Sequence, residues 1–181
     1  MYAYCLQCMT QRCKTIARVL EAWGFGRAFS PNIVQYQRKK GVNEEKVRDL
    51  LPGYVFLYRE TPLLNPIPMF YIDGVTRILK QSEGGWELEG RDYDFAMELR
   101  EKDGTVGVVK MVKEGDRVRV TDPLFADYDA RVVKVDYRKS RAQIAFMFDN
   151  KEFMIWTACD MLFTDDKPEK NICRKQDDSS I

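Results

Sequence analysis

The pattern that organises the chain lies in residues 51–58, Leu-Pro-Gly-Tyr-Val-Phe-Leu-Tyr. The Pro-Gly pair predicts a turn, because proline presets φ and glycine accepts positive φ without steric cost. The run after it predicts a strand with Tyr54, Phe56 and Tyr58 on one face and Val55 and Leu57 on the other. The aliphatic pair reads as the side that packs into a core. The aromatic side has two readings. It is an interaction surface, since a contiguous exposed apolar patch marks one, or helices cover it and nothing docks there.

Around that strand the periodicity switches several times. Residues 2–8 read as a short strand. Residues 11–25 read as a helix with Ile16, Val19, Leu20 and Trp23 as its buried stripe, stopped by Gly24 and Gly26. Residues 27–37 are strand-like, and Pro31 inside them predicts an edge or a break. Arg38, Lys39, Lys40 and Gly41 form a basic turn. Three prolines surround a short helical patch at 69–72, residues 74–80 predict a strand, and Gly84-Gly85 a turn. Residues 91–102 read as a helix with Phe95, Ala96 and Leu99 on its buried side. Strands, crossover helices and short turns of this kind predict an α/β sandwich of about a hundred residues.

Residues 103–113 form a glycine-containing connector, after which only short strands appear. They are expected at 117–121, 131–137, 142–148 and 152–157, with turns at 138–141 and at Asp149-Asn150. That spacing predicts a small β-barrel. Residues 164–181 are polar and charged and are expected to be disordered. The resulting domain reading is 1–103, a linker at 104–112, a barrel at 113–163 and the tail.

The chain has 181 residues, with 29 basic and 28 acidic side chains. Whole-chain charge therefore points to no partner, and only its distribution is informative. Residues 131–141 gather Arg131, Lys134, Arg138, Lys139 and Arg141 against Asp136 alone. Such a hairpin follows a phosphate backbone or is a charged tip that blocks edge pairing. No apolar run approaches a membrane span, and no basic segment leads into an apolar one as in a secretory signal, so a cytoplasmic location is the expectation. Five cysteines and no histidine argue against a disulfide framework and against the commonest general base. Cys5, Cys8 and Cys13 have a C-x2-C-x4-C spacing, but an odd separation on a strand puts Cys5 and Cys8 on opposite faces, so free thiols are expected rather than zinc. Without a phosphate loop or a catalytic constellation, the expectation is a protein that is not an enzyme and needs no cofactor.

Two ordered stretches resemble one family. Leu51-Pro52-Gly53-Tyr54-Val55-Phe56 is similar to the F-P-G-Y-V signature of the NusG N-terminal (NGN) domain. Residues 114–120, Glu-Gly-Asp-Arg-Val-Arg-Val, followed by Phe125-Ala126-Asp127-Tyr128 and residues 135–141, look like the KOW domain of the same family. The resemblance spans about residues 2–163. It implies an α+β protein, an NGN α/β sandwich followed by an SH3-like KOW barrel, that acts in transcription elongation. It implies a docking surface for the clamp helices of RNA polymerase made by Tyr4, Leu51, Pro52, Gly53, Tyr54 and Phe56. Pro123-Leu124-Phe125, Ala130 and Phe148-Asp149-Asn150 depart from the family pattern where its KOW loops meet Rho or a ribosomal protein.

Those departures, with added positive charge, resemble the specialised LoaP type, whose KOW domain is associated with an RNA hairpin in antitermination. The expected RNA contacts are Arg131, Lys134, Arg138, Lys139, Arg141 and Lys151, with a monomer and no membrane. Tyr137 is read as barrel core, with stacking on a loop base as the alternative. Other readings are a general NusG-like pausing or termination factor, and an RfaH-like factor reading non-template DNA through Arg12, Lys14 and residues 38–40. Fold switching of the RfaH kind would require tight packing between the domains.

Overall fold

A computed structural model describes residues 1–80, 85–126, 128 and 130–164. Gly84 of the expected Gly84-Gly85 turn, Asp127, Asp129 and the tail from residue 165 onward lie outside the described residues. The strands and helices are β1 (Tyr2–Cys8), α1 (Cys13–Ala22), β2 (Arg27–Phe29), β3 (Asn32–Lys39), β4 (Val42–Asp49), β5 (Tyr54–Arg59), β6 (Val75–Ile78) and α2 (Gly90–Glu101). They continue as β7 (Thr105–Val106), β8 (Val109–Glu114), β9 (Arg117–Val120), α3 (Pro123–Ala126), β10 (Arg131–Asp136), β11 (Arg141–Phe148) and β12 (Lys151–Thr164).

A four-stranded sheet in the order β2-β5-β1-β6 forms the centre of the first half. Cys5 pairs with Phe56 and Tyr4 with Leu57, which sorts the side chains onto two faces. Val55, Leu57, Tyr4, Leu6 and Cys8 pack with Ile16, Ala17 and Leu20 of α1. Ala3, Cys5, Tyr54, Phe56 and Tyr58 take the opposite face with Phe95, Ala96 and Leu99 of α2. The alternation read from residues 54–58 is the alternation that forms. Tyr58 also donates its hydroxyl to the Ala96 carbonyl at 2.7 Å. Cys5 and Cys8 face opposite sides, and among the described residues no cluster of His, Cys, Asp or Glu could hold a metal.

Trp23 departs from the expected stripe. It caps the end of α1 and is 56% exposed, because the helix stops one residue before it. The stretch 27–37 breaks at Ser30-Pro31 into β2 and β3. β4 is an addition to the expected elements, pairing antiparallel with β3 from Asn32↔Asp49 to Lys39↔Val42. The stretch expected as linker carries structure: β7 pairs in parallel with β3, and β8 already begins at Val109.

A five-stranded sheet in the order β10-β11-β12-β8-β9 makes the second half, and β9 and β10 meet to close it as a small barrel. β12 is longer than expected and includes Thr164, because Cys159–Thr164 pairs with β8 in parallel. The architecture is therefore α+β, an α/β sandwich followed by a small barrel. Among the described residues no helix is long and apolar enough to cross a membrane.

Candidate functional site

Residues 51–54 form the turn that presents β5. The Tyr54 amide donates to the Leu51 carbonyl at 3.2 Å, and Gly53 sits at φ +90° after Pro52. A type II turn has this geometry, with proline at its second position and glycine at its third. The Gly53 carbonyl accepts from the Cys8 amide at 2.7 Å, so the turn is tied to the end of β1. Cys8 also lies beside Cys13, whose thiol is drawn down to about 7, chiefly by its hydrogen bond with Cys8.

The resemblance implies one surface made of Tyr4, Leu51, Pro52, Gly53, Tyr54 and Phe56. The structure divides this set. Tyr4 lies on the α1 side of the sheet, since it is an odd number of positions from Ala3 and Cys5, and its hydroxyl accepts from the Leu63 amide at 2.8 Å. It cannot share a surface with Tyr54 and Phe56. Pro52 is exposed at the turn, whereas Leu51, Gly53, Tyr54 and Phe56 are buried.

The barrel covers the aromatic face. The Tyr54 ring meets Phe148 edge-on at 5.4 Å and Phe153 at 5.9 Å. Phe148 also lies 5.8 Å from Phe56 and 5.5 Å from Phe95. Ring pairs at these separations add to the stabilisation from burial alone. Asp149 closes the edge of the contact. Its carboxylate accepts from the Tyr54 hydroxyl at 2.8 Å and pairs with the Arg77 guanidinium. Arg77 is held in turn by the Gln7 side-chain oxygen at 2.6 Å.

Asp149 and Asn150 both have positive φ, +49° and +57°, in the two-residue turn between Phe148 and Lys151. Asp and Asn tolerate that left-handed conformation, which aims the Asp149 carboxylate at the first half of the chain. Burial, then the Asp149 hydrogen bond, pushes the Tyr54 phenol well above its ordinary range, so it remains a donor at neutral pH. On the far side of the contact, Tyr128 packs 4.9 Å from Phe95 and donates to Asp92 at 2.8 Å.

The six expected nucleic-acid contacts fall into two groups. Arg131 lies at the start of β10 and pairs with Glu152 at 2.7 Å. Lys151 points into the contact between the halves, donating to the Tyr54 hydroxyl at 3.3 Å. Neither shares a surface with the basic turn, because β10 spans ~16 Å from one end to the other. Arg138, Lys139 and Arg141 lie at that other end, and Lys134 stands partway along β10 opposite Gln143.

Asp136 caps the turn there, accepting from the Lys139 amide at 3.2 Å and pairing with Arg141 at 3.3 Å and Lys139 at 3.9 Å. Arg141 additionally covers the Trp156 ring at 4.4 Å. Tyr137, expected in the barrel core, is 53% exposed, since the 3-10 turn rotates it out of the strand alternation. Residues that sequence reasoning missed are Arg77, Phe148, Phe153 and Asp149 as parts of the cover. Asp149-Asn150 was legible as a turn, but its partner stands 95 positions away.

No family model matches the chain. It is 26% identical over 126 residues to the transcription termination/antitermination protein NusG of Vibrio cholerae, covering 67% of this chain and 68% of that one. The NusG protein of Escherichia coli K12 gives the same identity and coverage. A solved structure of domain interaction in Thermotoga maritima NusG aligns with a TM-score of 0.50 at 16% identity, over 86% of this chain and 92% of that one. The chain is thus similar in sequence to NusG transcription factors over two thirds of its length, and it shares the fold of a NusG protein over most of it.

Proposed function

We propose that the chain is a transcription elongation and antitermination factor that docks on the clamp helices of RNA polymerase through β5 and binds a hairpin in leader RNA through the basic end of its barrel. Residues 1–103 act as the docking unit and 113–163 as the RNA-binding unit. Leu51, Pro52, Gly53, Tyr54 and Phe56 form the docking face. Lys134, Arg138, Lys139 and Arg141 hold RNA phosphates. The chain works as a cytoplasmic monomer, without catalysis or cofactor.

The single observation that supports this most is the aromatic face of β5. Tyr54 and Phe56 project from a sheet whose other face already has its helix, and their cover is supplied largely by the barrel. A large apolar face that a neighbouring unit can cover is one that a helical partner can also cover. The barrel is then an internal competitor, and docking requires it to move aside. The relatives' names, which join termination with antitermination, support a role in transcription.

In single-round transcription across an intrinsic terminator placed after a stem-loop leader, the chain is expected to raise read-through. Arg138→Ala with Lys139→Ala should abolish that gain. Unchanged or reduced read-through by the unmodified chain would contradict the proposal.

A further inference from the structure

Two basic turns that are distant in sequence meet on one side of the molecule. The β3–β4 hairpin carries Arg38, Lys39 and Lys40 at its tip, where Lys40 and Gly41 adopt positive φ, +49° and +86°. The barrel carries Arg138 and Lys139 in the turn after β10. Arg38 Nη1 donates to the main-chain carbonyl of Arg138 at 3.3 Å, across 100 positions of sequence. Beside this bond lies a groove of about 430 Å³ between the two halves, lined by Tyr36, Val108, Lys110, Ser140, Cys159 and Asp160.

The charges on this side are unevenly balanced. Asp136 serves Lys139 and Arg141, Glu44 and Glu45 lie opposite Gln37 and Tyr36 on β4, with both carboxylates lining a shallow pocket beside Lys39, and Asp160 borders the groove. Among the described residues, no carboxylate comes within ion-pair distance of Arg38, Lys39, Lys40 or Arg138. Bringing two such turns together raises the local positive potential, a cost that a polyanion lying across them relieves. Next to the junction Tyr137 stands half exposed, with the Lys113 ammonium 5.6 Å from its ring centroid. An exposed ring beside phosphate-binding cations is the arrangement that accepts an unstacked base from an RNA loop.

We infer that the RNA site spans both halves of the chain: residues 38–40 and Arg138-Lys139 grip the backbone on two sides while Tyr137 receives a loop base. This rests on the RNA-binding reading above and extends it to the first half of the chain. It has a thermodynamic consequence. A ligand that touches both halves favours their packed arrangement, in which Tyr54 and Phe56 are covered. RNA capture and polymerase docking therefore oppose each other until the RNA releases residues 38–40.

The test uses the full chain, an RNA stem-loop with a mixed-sequence loop, single-stranded RNA of the same composition and duplex DNA, each at two salt concentrations. One variant replaces Arg38, Lys39 and Lys40 with alanine, and a second replaces Arg138 and Lys139. A control removes the exposed cations Arg18 and Lys80 from the first half. The hairpin-tip variant is expected to bind the stem-loop at least about tenfold more weakly, with a salt slope smaller by two to three. Its melting temperature should be unchanged, because these side chains are exposed.

Loss with the Arg138 variant alone overturns the two-sided site and leaves the RNA reading intact. An equal loss in the control variant overturns it as well, since total charge would then account for the effect. An unmodified chain with no preference for the stem-loop, or one that prefers duplex DNA, overturns both.

Discussion

Asp149 accepts from the Tyr54 hydroxyl and pairs with Arg77 at once, so one carboxylate ties a strand, a sheet edge and the barrel together. It is mostly shielded, at 14% side-chain exposure, which leaves its partners costly to remove. Tyr54→Phe keeps the ring contacts with Phe148 and Phe153 but strips the donor, and is expected to lower stability by about 1–3 kcal/mol in urea denaturation. Phe95 is the ring shared by both halves, touching Phe56, Tyr128, Phe146 and Phe148. Phe95→Ala should cost ~3–5 kcal/mol by cavity formation, read from the same titration. Gly53→Ala would place a methyl 3.2 Å from the Cys8 carbonyl oxygen at a φ of +90°. About 1 kcal/mol of destabilisation is expected there, together with loss of the turn's presentation of β5.

Among the elements, those with a strong period were legible and those without one were not. β5 alternates aromatic with aliphatic, and both faces find the cores that this alternation requires. α2 shows Phe95, Ala96 and Leu99 as its buried side, as its spacing predicts. β4 escapes sequence reading because Val42–Asp49 has no buried face to impose an alternation; seven of its eight residues are exposed. Its strand character comes from pairing with β3, a tertiary effect that local pattern does not carry. Trp23 was misplaced because α1 ends at Ala22, and helix ends are the least determined feature of an apolar stripe. As an edge strand with charged side chains, β4 resists edge-to-edge association while remaining weakly held. Its amides are expected to exchange with solvent roughly a hundredfold faster than those of β5 in native-state hydrogen exchange, and comparable rates would contradict this.

At the scale of the molecule, the change from mixed strands and helices to short strands alone was legible, whereas the contact between the two stretches was not. The aromatic face was open to two readings, interaction surface or covered core. The structure shows it covered, by α2 on one part and by the barrel on the other. Nothing in the local sequence of residues 54–58 names Phe148 or Asp149 as the cover. Tyr4 stands on the α1 side of the sheet, away from Tyr54 and Phe56, because resemblance assigns positions whereas pairing with Leu57 assigns sides. The basic residues were legible as a group of charges, but β10 separates Arg131 and Lys151 from the rest, and Arg38 joins them from the other half. On the proposed function, the contact between the halves is the point at which docking is controlled.

Its most direct test is a titration of the RNA polymerase clamp-helix coiled coil into the full chain and into Arg77→Glu. The substitution sets two carboxylates against each other at the edge of the contact and leaves residues 51–56 untouched. Roughly tenfold tighter binding by Arg77→Glu is predicted, as the barrel's competition is weakened. Equal affinity of the two chains, or no binding by either, would contradict the claim that this face docks and that the barrel competes for it.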